Sequence, residues 1–521
     1  MTLKSVKILP GTGRGTATRS GVVEGALGWT QRKWRAPSTM LRMVPLPVPG
    51  RIIFASLFLS GCSFAPAYHR PTAQIPASFK EAPDWRVAAP ADAVAKGQWW
   101  LLFNDPTLNA LEAKVSVNNQ NVAAAAAAYA QARATVRELR ASLFPTVDLT
   151  ANATRAGSFG GGTTTIVGSS GSTSVSSSGS RRYSVSLGGT WEPDLWGKIG
   201  NTVSQEKEIT QATEADLNNA TLSAQGELAA DYVQLRGLET QKAILDATVV
   251  AYNRALSITN NRYNQGVVSK VDVLQAQTQL NTAQANAADL VRQRGLLEHA
   301  IAVLVGENPS TFSLSAQPWN RTVPDVPALL PAALLERRPD IAGAERRVAA
   351  ANSAIGIQRA AFFPTLDLSG SVGANASKLS QLFTSAASLW SLGAQGALTL
   401  LDFGARSARV AEARAAYDQA VATYRQTVLA GFQQVEDELV ATRILAEVAD
   451  QRTKAAVSAN QVEALTQNQY VAGQIAYSDV ITAQTTALNA RQSEAQAVVD
   501  RQVAAVTLIQ AIGGAWPSNG Q

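Results

Sequence analysis

The chain has 521 residues, of which 46% are hydrophobic and 16% charged, enough for more than one buried core. Its net charge of +6 comes from the N-terminus, because residues 1–61 hold nine Lys and Arg residues and one Glu. Removing these from totals of 45 and 39 leaves 36 basic and 38 acidic residues, a net charge of −2. Nucleic-acid binding therefore loses its main support.

Residues that bind metals or form disulfides are scarce. The chain contains one cysteine, Cys62, and two histidines, His69 and His299, which are far apart in the sequence. We therefore expect no disulfide and no zinc or copper site. No catalytic triad can be assembled around these histidines, so we expect neither an enzyme nor a cofactor.

A lipoprotein signal is predicted at the end of the basic N-terminal segment. Residues 51–62 read RIIFASLFLSGC, a basic residue and an apolar run too short to span a bilayer. The last four residues resemble a lipobox, which predicts acylation of Cys62 as the first mature residue; the alternative is an ordinary signal peptide with an incidental cysteine. Ser63 follows, rather than the aspartate that commonly retains such lipoproteins in the inner membrane. A start at Met40 or Met43 would leave residues 1–39 untranslated.

The remaining sequence contains one set of motifs twice. Residues 262–277 recur at 469–484 and residues 194–197 at 401–404, both with an offset of 207 residues. Residues 144–149 (FPTVDL) recur as 363–368 (FPTLDL), with an offset of 219 residues. Chance does not explain three pairs in the same order. We divide the chain into a leader (1–61), a lipidated linker (62–98), two repeats (99–310 and 311–514) and a tail (515–521).

Each repeat is predicted to contain two strands in which apolar and polar residues alternate. The first strand follows Pro145, and a second covers about 183–191 after a Gly/Ser/Thr-rich loop, 157–180, that we expect to be flexible and exposed. In the second repeat one strand starts near Leu366, and the last is predicted to run from Trp390 to Leu400. Strands of about ten alternating residues are typical of transmembrane β-barrels, although a half-buried soluble sheet alternates in the same way.

Four strands cannot close a barrel, because an edge exposed to lipid would leave backbone groups without hydrogen bonds. Closure needs about eight strands or more. The barrel is therefore expected to be shared between chains, and three chains would supply twelve strands.

A long helix is predicted after each pair of strands. Residues 197–261 and 404–468 contain no proline, and apolar residues recur at coiled-coil spacing from Leu217 to Leu256. Sixty residues at 1.5 Å each span roughly 90 Å, far more than a bilayer core of about 30 Å. Such rods must project into the periplasm, which argues against a stand-alone porin. The membrane-length strands argue against a structural or adhesive lipoprotein.

Each long helix ends at a repeated turn. Gly266 and Gly473 are expected to adopt positive φ after the helix. Asp272 and Asp479 fall in the first turns of the returning helices, where a carboxylate favours the helix dipole. Capping is the simplest interpretation. A more specific hypothesis is that both acids ring a narrow tip in an oligomer and gate it.

These features resemble the TolC-type outer-membrane efflux proteins, specifically their lipoprotein branch, the NodT family. The resemblance covers nearly all of 68–514. It is most specific at 337–364, and 99–106 (WWLLFNDP) resembles the first helix of that branch. The mature start matches through Cys62, Pro66, Tyr68 and Pro71.

The resemblance implies an α+β membrane protein: a homotrimer with a twelve-stranded outer-membrane barrel and a twelve-helix periplasmic tunnel closed at its tip. It implies a passive duct for small molecules, fed by a periplasmic adaptor and an inner-membrane pump of the RND type. A type I protein secretion channel is the alternative, although such channels usually lack the lipobox.

The family closes its tunnel with acidic and hydrogen-bonding residues near the tip, and the resemblance assigns Asp272, Tyr470 and Asp479 to matching positions. Ile475 stands where some members have a basic linking residue, and Thr482 where some have a second aspartate. These departures leave a salt-bridged gate without its usual partners.

Overall fold

The structure is a computed structural model that describes residues 64–76, 78–81, 98–157, 163–168, 171–176, 180–324, 326 and 338–514, with the backbone alone for 163–168 and 171–176. All of them belong to one structural unit, Leu59–Gln521. The predicted leader, Cys62 and the tail 515–521 lie outside the described residues.

One series of elements, a helix, two strands of the main sheet and two long helices, occurs twice in the same order, and the first repeat adds a helix at its start and a two-stranded hairpin. The first repeat contains α1 (Pro106–Asn118), α2 (Gln120–Ala141), β1 (Thr146–Ala156), β2 (Thr163–Gly168), β3 (Gly171–Ser176), β4 (Ser180–Trp191), α3 (Lys198–Asn264) and α4 (Lys270–Leu304). The second contains α5 (Pro339–Ala360), β5 (Thr365–Ala376), β6 (Ser388–Ala397), α6 (Ala405–Val471) and α7 (Tyr477–Ala511). α2 and α5 each have 22 residues, α3 and α6 each have 67, and α4 and α7 each have 35. The predicted two-repeat fold is confirmed.

The two long helices begin in the same way. Gly197 and Gly404 precede α3 and α6 with φ of 72° and 95°, a conformation that glycine adopts at little cost. The carboxylate of Asp194 accepts hydrogen bonds from the backbone N–H groups of the first turn of α3 at 3.1 and 2.6 Å. Asp402 accepts two from backbone N–H groups at the start of α6, at 3.1 and 3.0 Å. The repeated aspartate–glycine motifs therefore cap the helix starts. At 1.5 Å per residue each 67-residue helix extends about 100 Å.

None of the helices described is both long enough and apolar enough to cross a membrane.

The main sheet has four antiparallel strands in the order β1-β4-β5-β6. Its register pairs Leu149 with Leu187, Leu187 with Val372, and Val372 with Trp390, so the apolar positions of all four strands share one face. The predicted alternation is confirmed.

The last strand ends earlier than predicted. β6 stops at Ala397, which pairs with Thr365 at the start of β5, so Leu398 and Leu400 lie beyond the ladder. Pro364 precedes β5 and has no N–H to extend the pairing.

The prediction of a flexible loop at 157–180 is wrong for its central part. β2 and β3 form an antiparallel hairpin, paired from Thr163 with Ser176 to Gly168 with Gly171. β2 reads TTTIVG, and its β-branched residues favour extended backbone. The polar composition masked this preference.

The segment that resembles the first helix of the family branch, residues 99–106, does not form one continuous helix. Trp99–Phe103 forms a 3-10 turn, and Asn104 then takes a left-handed conformation with φ of 50°. Asp105 caps α1 by accepting hydrogen bonds from the N–H groups of Thr107 and Leu108 at 2.8 and 3.1 Å.

An extended segment, which we call the N-terminal strap (residues 64–76 and 78–81), runs along α5 and α6. The Phe64 ring stacks on Phe363, just before β5, with 4.4 Å between centroids. At its other end Glu81 forms a 2.8 Å ion pair with Arg443 in α6. The strap therefore leads from the sheet end of the helices toward the middle of α6.

The largest core lies where α1, the middle of α3, the end of α4 and the end of α7 meet, and we call it the equatorial core. Its deeply buried members include Leu108, Leu228, Leu235, Ile301, Val305 and Val506. This core holds the two repeats together within one chain.

Candidate functional site

The main sheet has two free edges within the described part of the chain, because β1 and β6 each pair with one neighbour. In a single chain the apolar face of this sheet is exposed. The side chains of Leu149, Trp390 and Leu392 are 73%, 78% and 83% exposed. A sheet of this kind is incomplete as a monomer: it needs apolar surroundings on one face and partner strands at both edges.

The opposite face of the sheet is lined by hydroxyl groups that bond to one another across strands. The Thr146 and Thr190 hydroxyls lie 2.9 Å apart, and those of Thr150 and Ser186 lie 2.8 Å apart. On β5 and β6, the Ser371 and Ser391 hydroxyls are also 2.8 Å apart. The two faces therefore differ as the lipid face and the water face of a membrane sheet differ.

The turns at the far ends of the long helices are near copies of each other. Gly266 and Gly473 have φ of 74° and 76°, as expected. The Gly266 N–H donates to the Tyr263 carbonyl at 2.8 Å, and the Gly473 N–H donates to the Tyr470 carbonyl at 2.9 Å. This is a glycine-terminated helix end, which reverses the chain into α4 and α7. We call these two turns, 265–269 and 472–476, the tip turns.

The two tip aspartates have different surroundings. Asp272 belongs to a capping box: its carboxylate accepts hydrogen bonds from the N–H and hydroxyl of Ser269 at 2.9 and 3.0 Å. The capping role of Asp272 is therefore confirmed. Asp479 also lies in a first turn, but Ala476 replaces the capping serine, and the Asp479 side chain is exposed. One carboxylate is thus engaged in its own turn, whereas the other points into open space.

Tyr470 is buried inside the chain. Its side chain is 5% exposed and packs on Tyr477 with 5.2 Å between ring centroids. The Arg262 guanidinium lies 4.8 Å from the Tyr470 ring centroid and donates to the Tyr470 carbonyl at 3.3 Å. Since Arg262 is on α3 and Tyr470 on α6, this cluster joins the two helical hairpins near the tip turns. The buried Tyr470 hydroxyl has no hydrogen-bond partner among the described residues.

Burial also changes the acidity of the cluster. The pKa of Tyr477 is raised to about 12, first because burial disfavours the phenolate and then because Tyr470, Tyr252 and Asp272 are nearby. Tyr477 is therefore a neutral hydrogen-bonding group at any physiological pH.

Sequence reasoning did not identify Arg262 and Tyr477 as parts of this cluster. Both occupy positions where the repeats differ: Arg262 corresponds to Gln469, and Tyr477 corresponds to Lys270. The difference between the two repeats at these positions was the sequence signal that could have identified Arg262 and Tyr477. Ile475 stands where some members of the resembled family have a basic residue, and here its side chain packs against the same cluster.

No group of three or more His, Cys, Asp or Glu side chains within the described ranges is arranged to hold a metal ion.

Comparison with known proteins identifies the family. The family model for outer membrane efflux proteins matches residues 112–307 and 330–514. The solvent efflux pump outer membrane protein SrpC of Pseudomonas putida is 31% identical over 471 residues, covering 89% of this chain and 97% of that protein. The cation efflux system protein CusC of Escherichia coli is 27% identical over 470 residues, covering 88% and 97%.

A solved structure shows the same fold. The outer-membrane channel OprN superposes with a TM-score of 0.78 at 28% identity, covering 87% of this chain and 99% of that one. The predicted TolC-like fold and outer-membrane location are confirmed. The chain therefore belongs to the outer membrane efflux protein family.

Proposed function

We propose that three copies of this chain assemble into one passive duct. Each copy would give four strands to a twelve-stranded barrel, and its two helical hairpins to a twelve-helix periplasmic tunnel. The observation that carries this proposal is the four-stranded sheet with two free edges and an exposed apolar face. Pairing β1 of one copy with β6 of the next would remove both edges, and lipid would cover the apolar face.

The duct would receive small molecules from an inner-membrane pump of the RND type through a periplasmic adaptor. Small-molecule cargo is supported by relatives whose names refer to solvent and cation efflux. The hydroxyl-lined face of the sheet suits many polar solutes, because hydroxyl groups can both donate and accept hydrogen bonds. We assign the chain no catalytic role: the pump would supply the free energy of transport.

Deleting the gene in cells that express the cognate pump tests this function. We expect increased sensitivity to dyes, detergents or organic solvents, restored by the wild-type gene. Unchanged sensitivity together with loss of one secreted protein from the medium would contradict the proposal and favour type I secretion instead.

At the tip turns, we assign the gate to a ring of three copies of Asp479. This choice is supported by the exposure of Asp479 and by the engagement of Asp272 in its capping box. Tyr470 would hold the two hairpins of each copy together through its contacts with Tyr477 and Arg262. Gly266 and Gly473 would set the direction of the turns.

Single-channel recording in planar bilayers tests the gate. Asp479→Asn is expected to lower the preference of the pore for cations, because a carboxylate ring attracts them. Asp272→Asn is the matched control, with the same loss of charge in the other tip turn, and should change selectivity less. Equal effects of the two substitutions would overturn the assignment to Asp479.

We further propose that Cys62 carries a lipid anchor in the outer membrane. The position of the N-terminal strap supports this proposal. Phe64, two residues after Cys62, stacks on Phe363 beside the sheet. Cys62→Ala should abolish incorporation of labelled palmitate. Undiminished labelling of this variant would exclude Cys62 as the acylated residue.

A further inference from the structure

A groove of about 460 Å³ lies between α2 and α3, close to the sheet. We call it the basic groove, because Arg133, Arg137 and Arg140 line it from α2 and Lys207 lines it from α3. Glu214 is the one acidic residue among its lining residues. The groove therefore concentrates positive charge in a chain whose sequence after residue 61 is slightly acidic.

The cations of the basic groove have no acidic partner in the described part of the chain, although the Arg133 guanidinium lies 5.7 Å from the Tyr129 ring centroid. The three arginines stand at i, i+4 and i+7, on one face of α2, and all three are exposed. None of them, nor Lys207, forms an ion pair within the described part of the chain. The Thr210 hydroxyl in the groove wall is also buried without a hydrogen-bond partner among these residues. Guanidinium groups with free donors are suited to phosphate, which they can bind through paired hydrogen bonds.

The basic groove lies at the end of α2 that leads into the sheet, where we expect the membrane surface. α2 ends at Ala141, and β1 begins at Thr146. Between them, Phe144 is 68% exposed, as expected for an aromatic residue at the bilayer interface. Arg140 is adjacent to the helix end, and Arg133 is only about 10 Å farther along the axis. The headgroup layer is about 5–7 Å thick on each side, so these long side chains can reach it.

The second repeat shows which way this face of α2 points. The offset of 219 residues carries Arg133 and Arg140 onto Asn352 and Arg359 of α5. Those two hold the N-terminal strap: Asn352 donates to the Pro66 carbonyl at 2.8 Å, and Arg359 donates to the Phe64 carbonyl at 3.3 Å. In the second repeat this face is therefore covered by an extended piece of the chain itself.

The first repeat cannot be covered in the same way. Arg137 corresponds to Gly356, where an added Cβ would lie 2.7 Å from the Ala65 Cβ. A strap thus needs a glycine where α2 has an arginine. The face that holds a peptide in the second repeat is left open in the first and carries unpaired positive charge.

We propose that the basic groove binds the phosphate headgroup of an anionic phospholipid in the periplasmic leaflet of the outer membrane. The proposal rests on the outer-membrane location of the family and not on the identity of the cargo. Arg137 and Arg140 contact the phosphate, and the apolar strands above leave room for the acyl chains against the sheet.

Lipid binding to the purified, delipidated protein in detergent tests this proposal, with the rise in melting temperature as readout. Phosphatidylglycerol is the probe, and phosphatidylcholine and inorganic phosphate are the comparison ligands. The variant is Arg137→Gln/Arg140→Gln. Its matched control is Arg254→Gln/Arg452→Gln, which removes two exposed arginines from the distal parts of α3 and α6.

We expect phosphatidylglycerol alone to stabilise the wild type and the control. The groove variant should need a roughly tenfold or greater lipid concentration for the same shift, since each basic residue near an anionic surface contributes about 1 kcal/mol. Equal responses of groove variant and control would overturn the site. An equal response of the wild type to inorganic phosphate would overturn the lipid assignment and indicate a soluble anion.

Discussion

The equatorial core and the four-stranded sheet bury their apolar residues in opposite ways. In the core, Leu228 and Val506 are fully buried by contacts within one chain. In the sheet, Leu149 and Leu392 are 73% and 83% exposed although their register is regular. The core is therefore complete in a single copy, whereas the sheet of a single copy leaves its edges unpaired and its apolar face exposed.

This difference assigns separate tasks to the two regions. The core fixes how the two repeats meet within one chain. The sheet gains its stability only when both its edges and its apolar face are covered. Matched substitutions in the two regions should therefore differ in size and in the property they change.

Shortening a leucine in each region compares them directly. Leu228→Ala should lower the free energy of unfolding by about 2–5 kcal/mol, because it opens a cavity in a packed core. Leu149→Ala removes the same atoms from the exposed sheet face and should cost much less. Melting temperatures of the two purified variants provide the measurement. Similar losses would mean that the sheet is packed within one chain after all.

A charge on the sheet should affect assembly in the membrane and not the core. Leu392→Arg puts a cation on the apolar face near the middle of β6, at a cost of about 2–4 kcal/mol per copy in a bilayer. Ser391→Arg, one residue away on the hydroxyl-lined face, is the matched control. We expect the first to reduce the membrane-inserted fraction and the second to leave it unchanged. Loss of insertion in both variants would disprove our assignment of the two faces.

The equatorial region also contains a buried acid that should make its stability depend on pH. The Glu112 side chain in α1 is fully buried, and both its carboxylate oxygens have no hydrogen-bond partner among the described residues. Burial raises the pKa of Glu112 well above 4.5. The folded state therefore keeps a proton that the unfolded state releases, and stability falls as pH rises above about 4.5, by at most about 1.4 kcal/mol per pH unit.

Glu112→Gln should remove this dependence. The melting temperature of the variant should exceed that of the wild type by a margin that grows between pH 5 and pH 7. The exposed Glu412→Gln on α6 serves as the control and should show no such trend. A constant difference across this range would show that Glu112 is ionised in the folded protein.

The sequence predicted those features that depend on regular patterns among residues near one another in the chain or on the repeat itself. The offset of 207 residues and the proline-free stretches predicted two equal helical hairpins, and α3 and α6 are both 67 residues long. The positive φ of Gly266 and Gly473 followed from the turn pattern. Alternation predicted the faces of the sheet, because side chains on a strand repeat every two residues.

The remaining features depend on contacts between distant residues. Nothing local to Arg262 indicates that it packs on Tyr470, 208 residues away. The N-terminal strap lacks periodicity, since its partners on α5 and α6 determine its path. The β2–β3 hairpin was missed because its glycine- and serine-rich flanks outweighed a short β-branched run.

The mass of the assembled protein tests the central claim most directly. The purified protein in mild detergent should have a protein mass three times that of one chain when measured by light scattering corrected for bound detergent. That result would agree with sheet edges closed between three copies. A monomeric protein that still inserts into membranes and conducts would contradict the shared barrel and the duct built on it.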